Sequence, residues 1–340
     1  MRTARSRMPK NFSLEDRLAA CAEAVESNPS VWAGQWRSWM PCMKSAVASD
    51  ADTIAAAMGG SDDALEACRA GASAIEMTGG SSSETDSVSV SPVLRLESPR
   101  TPYARVCLDL GCGKGEYTVA CAKANPDTLF IGLDIEGVCV MRGAERALAE
   151  GVANAVFVFE ENPDLDLSTL FAPGELDAIL LNFPTPFPKK KKAPLRLTYV
   201  DRLMAYRPLL AEKGVVRLRT DSQPLRDFSL TQLELAGYDV RWNTDDVRSK
   251  FPDEPWSGYE NKLVAQGATV YGFEAVPQRP GPDPDAIVQT APLSLVSYLP
   301  EDIESLDYVP HGMQGCVNNM KGRRANRRAK GLPEWTRPII

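Results

Sequence analysis

The sequence predicts an α/β fold in which helices cover both faces of a doubly wound, largely parallel sheet. Two observations carry this. From Arg105 onward, short apolar runs alternate with stretches of helical length, the rhythm of strand–helix–strand units. The first run enters a glycine-rich turn, Gly111-Cys112-Gly113-Lys114-Gly115, and an open α/β sheet brings its backbone close to a ligand at such a turn.

The 340 residues are 44% hydrophobic and 24% charged, enough to bury a core spread over about two domains, or over one large domain with appendages. An N-terminal segment, 1–41, opens with a helix capped by Ser13 and running to Glu26; Asn28-Pro29 breaks it ahead of an aromatic cluster, Trp32, Trp36 and Trp39. Residues 42–100 read as an Ala/Ser-rich helical insertion that ends in a Ser/Gly linker. The main domain, 101–276, contains strands at 106–110, 128–134, 155–159, 176–182 and 215–220. Helices are expected over 115–124, 137–150, 195–211 and 224–236. Strands at 238–242 and 268–275 close the series, the last one antiparallel, because no full-length helix separates the two. A Pro-rich linker and a largely irregular, basic tail occupy 277–340.

No apolar run approaches the ~20 residues of a membrane helix, and no apolar stretch follows the basic N-terminus as in a secretory signal. Eight cysteines without a CxxC pair read as reduced thiols of a cytoplasmic protein, with no metal site. The single histidine, His311, lies between Pro310 and Gly312 and reads as a loop residue. Its solitude excludes a two-histidine metal site. The net charge of −7 conceals clustering. Residues 1–10, 189–192 and 321–330 hold fourteen positive charges and no acid, and without them the chain would stand at −21. An acidic body with local basic patches fits a polyanionic partner that docks at defined places.

Around the glycine turn, Asp109 lies on the preceding strand and Asp134 ends the next one, 25 residues later. Glu116 occupies the position that a dinucleotide fingerprint fills with its last glycine, and no GxxxxGK[ST] is present. NAD, FAD and nucleoside triphosphates are therefore disfavoured. An acid, a GxGxG turn and a second acid resemble the arrangement of S-adenosylmethionine-dependent methyltransferases, with Asp109 toward the cationic methionine end and Asp134 on the ribose hydroxyls. The fourth strand runs into Asn182-Phe183-Pro184-Thr185-Pro186-Phe187-Pro188 and the lysines 189–192. This is a stiff loop with positive charge beside it, at the carboxyl end of a strand.

With Asn125-Pro126-Asp127, Phe130 to Ile135, Thr220-Asp221 and Ser257-Gly258-Tyr259-Glu260 in the same order, the chain resembles the tRNA (guanine-N7)-methyltransferases from about Arg105 to Ala275. The resemblance implies a Rossmann-like methyltransferase sheet that uses S-adenosylmethionine and acts on tRNA as a monomer or homodimer. It implies a cofactor site of Asp109, Gly111, Gly113, Asp134, Ile135, Glu161, Asn162 and Asn182. It further implies substrate contacts from Lys189, Asp221, Ser257, Gly258, Tyr259 and Glu260, with Asp221 and position 185 at the catalytic centre. Three departures stand out. Thr185 replaces the family's aspartate between the prolines, Phe187 replaces a tryptophan, and of the distal basic run only Arg196-Leu197 remains. Guanine N7 carries a lone pair and no proton, so attack on a methyl group needs no general base, and the missing acid implies a slower enzyme. The alternative is a weak or inactive homologue that binds RNA and cofactor. A small-molecule methyltransferase would leave the lysine run without a role.

Overall fold

A computed structural model describes residues 12–41 and 102–333. The basic cluster at residues 2–10 and the insertion expected over 42–100 lie outside them. Seven strands form one sheet in the order β3-β2-β1-β4-β5-β7-β6. They are β1 (Arg105–Leu110), β2 (Thr128–Asp134), β3 (Ala155–Phe159), β4 (Leu176–Asn182), β5 (Leu210–Thr220), β6 (Tyr238–Thr244) and β7 (Tyr271–Pro277). The first five pair in parallel, while β7 runs antiparallel between β5 and β6. The order reverses between β1 and β4, which opens a crevice at their carboxyl ends.

The helices are α1 (Leu14–Ala20), α2 (Glu116–Ala124), α3 (Gly137–Ala149), α4 (Val200–Tyr206), α5 (Gln223–Leu235), α6 (Val247–Lys250), α7 (Gly258–Ala265) and α8 (Gln314–Ala329). Alternate residues of the central strands feed two cores. Val106, Leu108, Ile131 and Ile179 join α4, α5 and the tryptophan segment on one face. Cys107, Phe130, Phe157 and Ala178 join α2 and α3 on the other. Ser13 caps α1 by accepting from Asp16 N at 3.1 Å. Beyond α1, Val25 bridges Phe157 and so covers the edge of β3. Trp36 is fully buried and donates its indole N–H to Leu170 O at 2.8 Å, near the amino end of β4 and away from the crevice. Among the described residues, no helix is long and apolar enough to cross a membrane.

The expected strands and helices occur, though the helix expected to run to Glu26 ends at Ala20 ahead of a 3-10 turn (Ala22–Ala24), and there are two further substantive differences. The helix expected over 195–211 is α4 alone, since Pro194 sits in a 3-10 turn (Lys190–Leu195) and Pro208 stops helical propagation. The chain is extended again from Leu210, and β5 shifts register before Val215. The second difference is in the tail. Its first part is irregular, but the basic stretch forms the second half of α8. Leu295, Leu299, Ile303, Met313, Val317 and Met320 pack on Leu225 and Phe228 of α5 as a third apolar cluster. The spacing of Met313, Val317, Met320 and Arg324 on one face was the available sign of that helix.

Candidate active site

The glycine turn begins where β1 ends, with Gly111 N and Cys112 N donating to Leu133 O at 2.8 and 3.1 Å. Its glycines differ in purpose. Gly115 lets α2 and α3 close on one another, because a Cβ there would lie 2.6 Å from both Gly143 Cα and the Phe157 ring. Gly111 and Gly113 have φ of +80° and +55°, and a Cβ on either would meet nothing within 4 Å. Their backbone therefore borders open space that a ligand could enter.

Two carboxylates brace this turn. Asp134 accepts from Gly113 N at 2.8 Å and from Glu136 N at 2.9 Å, and burial raises its pKa. Ile135 beside it is half-exposed, an apolar surface next to a carboxylate. Asp109 is 1% exposed and accepts from Thr118 Oγ1 at 2.6 Å and from Asn182 Nδ2 at 3.0 Å. Burial pushes its pKa up to about 6, against the pull of those two hydrogen bonds. The Asp109–Asn182 bond crosses the switch point from β1 to β4. Asp109 therefore faces inward and reaches the crevice through the Asn182 amide. Glu161 and Asn162 are exposed beyond the carboxyl end of β3, where Asn162 Oδ1 accepts from Asp164 N at 3.0 Å.

Past Asn182, Phe183 and Phe187 adopt φ of +48° and +44°, a left-handed conformation that costs a bulky residue on the order of 1–3 kcal/mol. Arg196 holds the loop in that shape. It is fully buried, and it donates through Nε to Pro186 O at 3.0 Å and through Nη2 to Phe187 O at 2.8 Å. Its guanidinium lies 4.3 Å from the Phe228 ring centre. Burial lowers its pKa to about 10, so it stays charged at neutral pH. Thr185 and Lys189 to Lys192 are all exposed on this clamped loop.

The remaining predicted residues come from β5 and α7. Ser257 caps α7 by accepting from Glu260 N at 3.1 Å, and Gly258 N donates to Glu116 Oε2 at 2.7 Å. Tyr259 is 41% exposed, with its ring edge-on to Phe183 at 5.6 Å and to His311 at 6.4 Å. Glu260, one residue on, is 1% exposed and paired with Arg219 at 2.7 Å. Asp221 is 6% exposed, and its Oδ2 accepts from Tyr308 Oη at 2.7 Å and from His311 N at 2.8 Å. The structure thus brings together the glycine turn with Asp134, Asp109 with Asn182, and the proline loop with Tyr259 and the segment bound to Asp221. It keeps the Glu260 carboxylate inside the protein. Thr118, Arg196, Tyr308 and the backbone of His311 hold the predicted residues or their loop in place, contacts that the motifs did not mark. Among the described residues, no group of three His, Cys, Asp or Glu side chains is placed to hold a metal ion.

Residues 103–273 match a family model described as "Putative methyltransferase". A tRNA (guanine-N(7)-)-methyltransferase from Christiangramia forsetii is 35% identical over 170 residues, covering 48% of this chain and 75% of the relative. The enzymes of that name from Geobacillus kaustophilus and Streptococcus gordonii are 36% and 34% identical, each over 50% of this chain and 77% and 79% of the relative. The chain belongs to the tRNA (guanine-N7)-methyltransferase family. The matched range takes in the glycine turn, the proline loop, Asp221 and α7, but ends before the segment that supplies Tyr308, His311 and α8.

Proposed function

We propose that this family member transfers a methyl group from S-adenosylmethionine to N7 of a guanine in tRNA. The observation that carries the reading is the convergence, at the carboxyl ends of the central strands, of the open glycine turn braced by Asp134 with the clamped loop that presents Thr185 and four lysines. The names of relatives that align over three quarters of their length support the same reaction.

The residues present fit the cofactor. Gly111 and Gly113 leave backbone open where a Cβ would otherwise intrude. The Asp134 oxygens each accept one backbone bond and keep capacity for ribose hydroxyls. Ile135, Glu161 and Asn162, just past the carboxyl ends of β2 and β3, would flank the adenine. When bound, S-adenosylmethionine supplies an electrophilic methyl group on a positively charged sulfur. Asn182, its amide oriented by Asp109, would flank the methyl-bearing end of the cofactor.

N7 attacks through its in-plane lone pair, so the protein removes no proton. Its task is to hold the base and to favour the positive charge that grows on the ring. Asp221 is the carboxylate for that charge, since both of its hydrogen bonds fall on Oδ2 and leave Oδ1 available. Thr185 offers a hydroxyl to guanine O6. Tyr259 supplies an exposed aromatic face, and Ser257, Gly258 and Glu260 act as positioning residues by fixing the start of α7. Lys189 and its neighbours take phosphates. We assign the reaction to the cytoplasm and the active form to a monomer or homodimer. Residues 101–276 form the catalytic unit.

The test is incubation of the purified chain with methyl-labelled cofactor and unmodified tRNA, followed by nuclease digestion and mass spectrometry for 7-methylguanosine. Label in that nucleoside is expected. No incorporation under conditions where cofactor binding is measurable overturns the reading.

A further inference from the structure

We propose that α8 is an RNA-binding helix whose solvent side takes the phosphate backbone of the substrate, extending the surface that begins at Lys189. The inference rests on the RNA reading above and concerns a segment beyond the matched family range. Four observations carry it.

The first is composition. The helix holds Lys321, Arg323, Arg324, Arg327 and Arg328 and no acid, and Lys330 follows it directly. A chain of net charge −7 has concentrated these cations on one element. Cations near a helix C-terminus favour the helix dipole by about 0.3–1 kcal/mol, but that effect fades within the last turn and gives no reason for Lys321 or Arg323.

The second is orientation. Val317, Met320 and Arg324 are buried on the side that faces the third apolar cluster, and Arg324 donates to Glu304 at 2.8 Å. Arg324 therefore anchors the helix; Arg328 also reaches Glu304, at 3.8 Å, and Arg323, Arg328 and Lys330 all lie on the exposed side.

The third is place. The segment that leads into α8 abuts the proline loop: a Cβ on Gly312, two residues before the helix, would lie 3.1 Å from Pro186 Cγ, and farther back Leu295 N donates to Pro188 O at 3.0 Å. Burial pushes the Cys316 thiol up, and the charge of Lys189 acts against it. The fourth is reach. Its cations begin at Lys321, seven residues into the helix, and end at Lys330 just past it, so at 1.5 Å per residue they lie about 10 to 24 Å from its start, placed to meet successive phosphates away from the site. A helix of this charge, reached from a segment packed on the proline loop, suits a folded RNA that enters the site with one base and rests its backbone on the protein.

The test is a full-length triple variant, Arg323→Gln, Arg328→Gln and Lys330→Gln, which leaves Arg324 and the apolar face intact. Binding of an unmodified tRNA transcript is followed by fluorescence anisotropy between about 50 and 200 mM salt, next to the parent protein. The expected result is a fall of about 2–3 in the magnitude of the log–log salt slope and a loss of affinity of at least about tenfold at the low-salt end. Cofactor affinity and the binding of a hairpin too short to reach α8 stay at the parent values. If the variant binds tRNA with the parent's affinity and slope while the parent methylates it, the helix proposal fails and the proposed reaction stands. If the variant loses the slope but the parent produces no 7-methylguanosine, the helix proposal stands and the reaction fails.

Discussion

Tyr308 donates its hydroxyl to Asp221 across 2.7 Å, joining positions 87 residues apart. Burial, and then the bond to the carboxylate, holds the Tyr308 phenol well above its ordinary pKa, so the proton stays on the tyrosine. Ser222 and Met313 meet beside it at 3.3 Å. The C-terminal segment is thus tied to the residue that we assign to the developing charge on guanine. A hydrogen bond to a charged group contributes about 1.5–3 kcal/mol. Tyr308→Phe is therefore expected to lower unfolding stability by that amount in urea titrations and to raise KM for tRNA, with cofactor affinity unchanged. A variant as stable as the parent would show that the bond does not fasten the segment.

Arg196 is the reason that the proline loop keeps two bulky residues at positive φ. Lysine cannot donate to Pro186 O and Phe187 O from a planar fork while stacking on Phe228. Arg196→Lys is expected to cost about 2–3 kcal/mol of stability by leaving a carbonyl unpaired, and to reduce kcat by at least about tenfold by loosening Thr185. Isothermal titration should find S-adenosylmethionine binding close to the parent value, because the glycine turn is untouched. Equal losses in cofactor binding and turnover would argue against a local role.

Asp109 gives a pH-dependent expectation. With its folded pKa raised to about 6 from an ordinary value of 3.8, its carboxyl favours folding below about pH 4, and that contribution is lost as pH rises through 6. At about pH 7.5 the buried anion costs on the order of 3 kcal/mol relative to its neutral form. Asp109→Asn is expected to unfold at higher denaturant than the parent at about pH 7.5, with the difference closing toward pH 4. It should also bind the cationic cofactor at least about tenfold more weakly. A stability difference that does not change with pH would remove the ionised carboxylate as its cause.

Much of this arrangement was legible in the residues, and the exceptions have definite causes. β2, β3 and β4 run over the expected residues because each is a short apolar run closed by a polar or punctuating residue, Asp134, Phe159-Glu160 and Asn182. The expected helix over 195–211 gave too little weight to Pro194 and Pro208. The roles of Tyr259 and Glu260 depend on which neighbour faces inward, and Arg219 decides it: a buried guanidinium on β5 needs a counter-charge, and Glu260 supplies it. The partner of Asp221 comes from an irregular segment with no periodicity to announce it, and only the folded chain shows that contact.

Thr185 allows the most direct test of how far this chain departs from its relatives. It is exposed on a loop fixed at both ends, by Asn182 on Asp109 and by Arg196 on Pro186 and Phe187. A new side chain there inherits a defined position without creating a buried charge. Methylation turns guanine into a cation, and a carboxylate placed beside the ring favours that charge more in the transition state than in the bound substrate. Such a group commonly contributes about 2–4 kcal/mol to kcat, while Asp221 already supplies part of the field. Thr185→Asp is therefore expected to raise single-turnover methylation by about 10- to 100-fold, with cofactor affinity unchanged and KM for tRNA moved little, because Lys189 to Lys192 lie beyond Pro188. A rate at or below the parent's would mean that the threonine is no handicap, and that Asp221 bears the charge by itself.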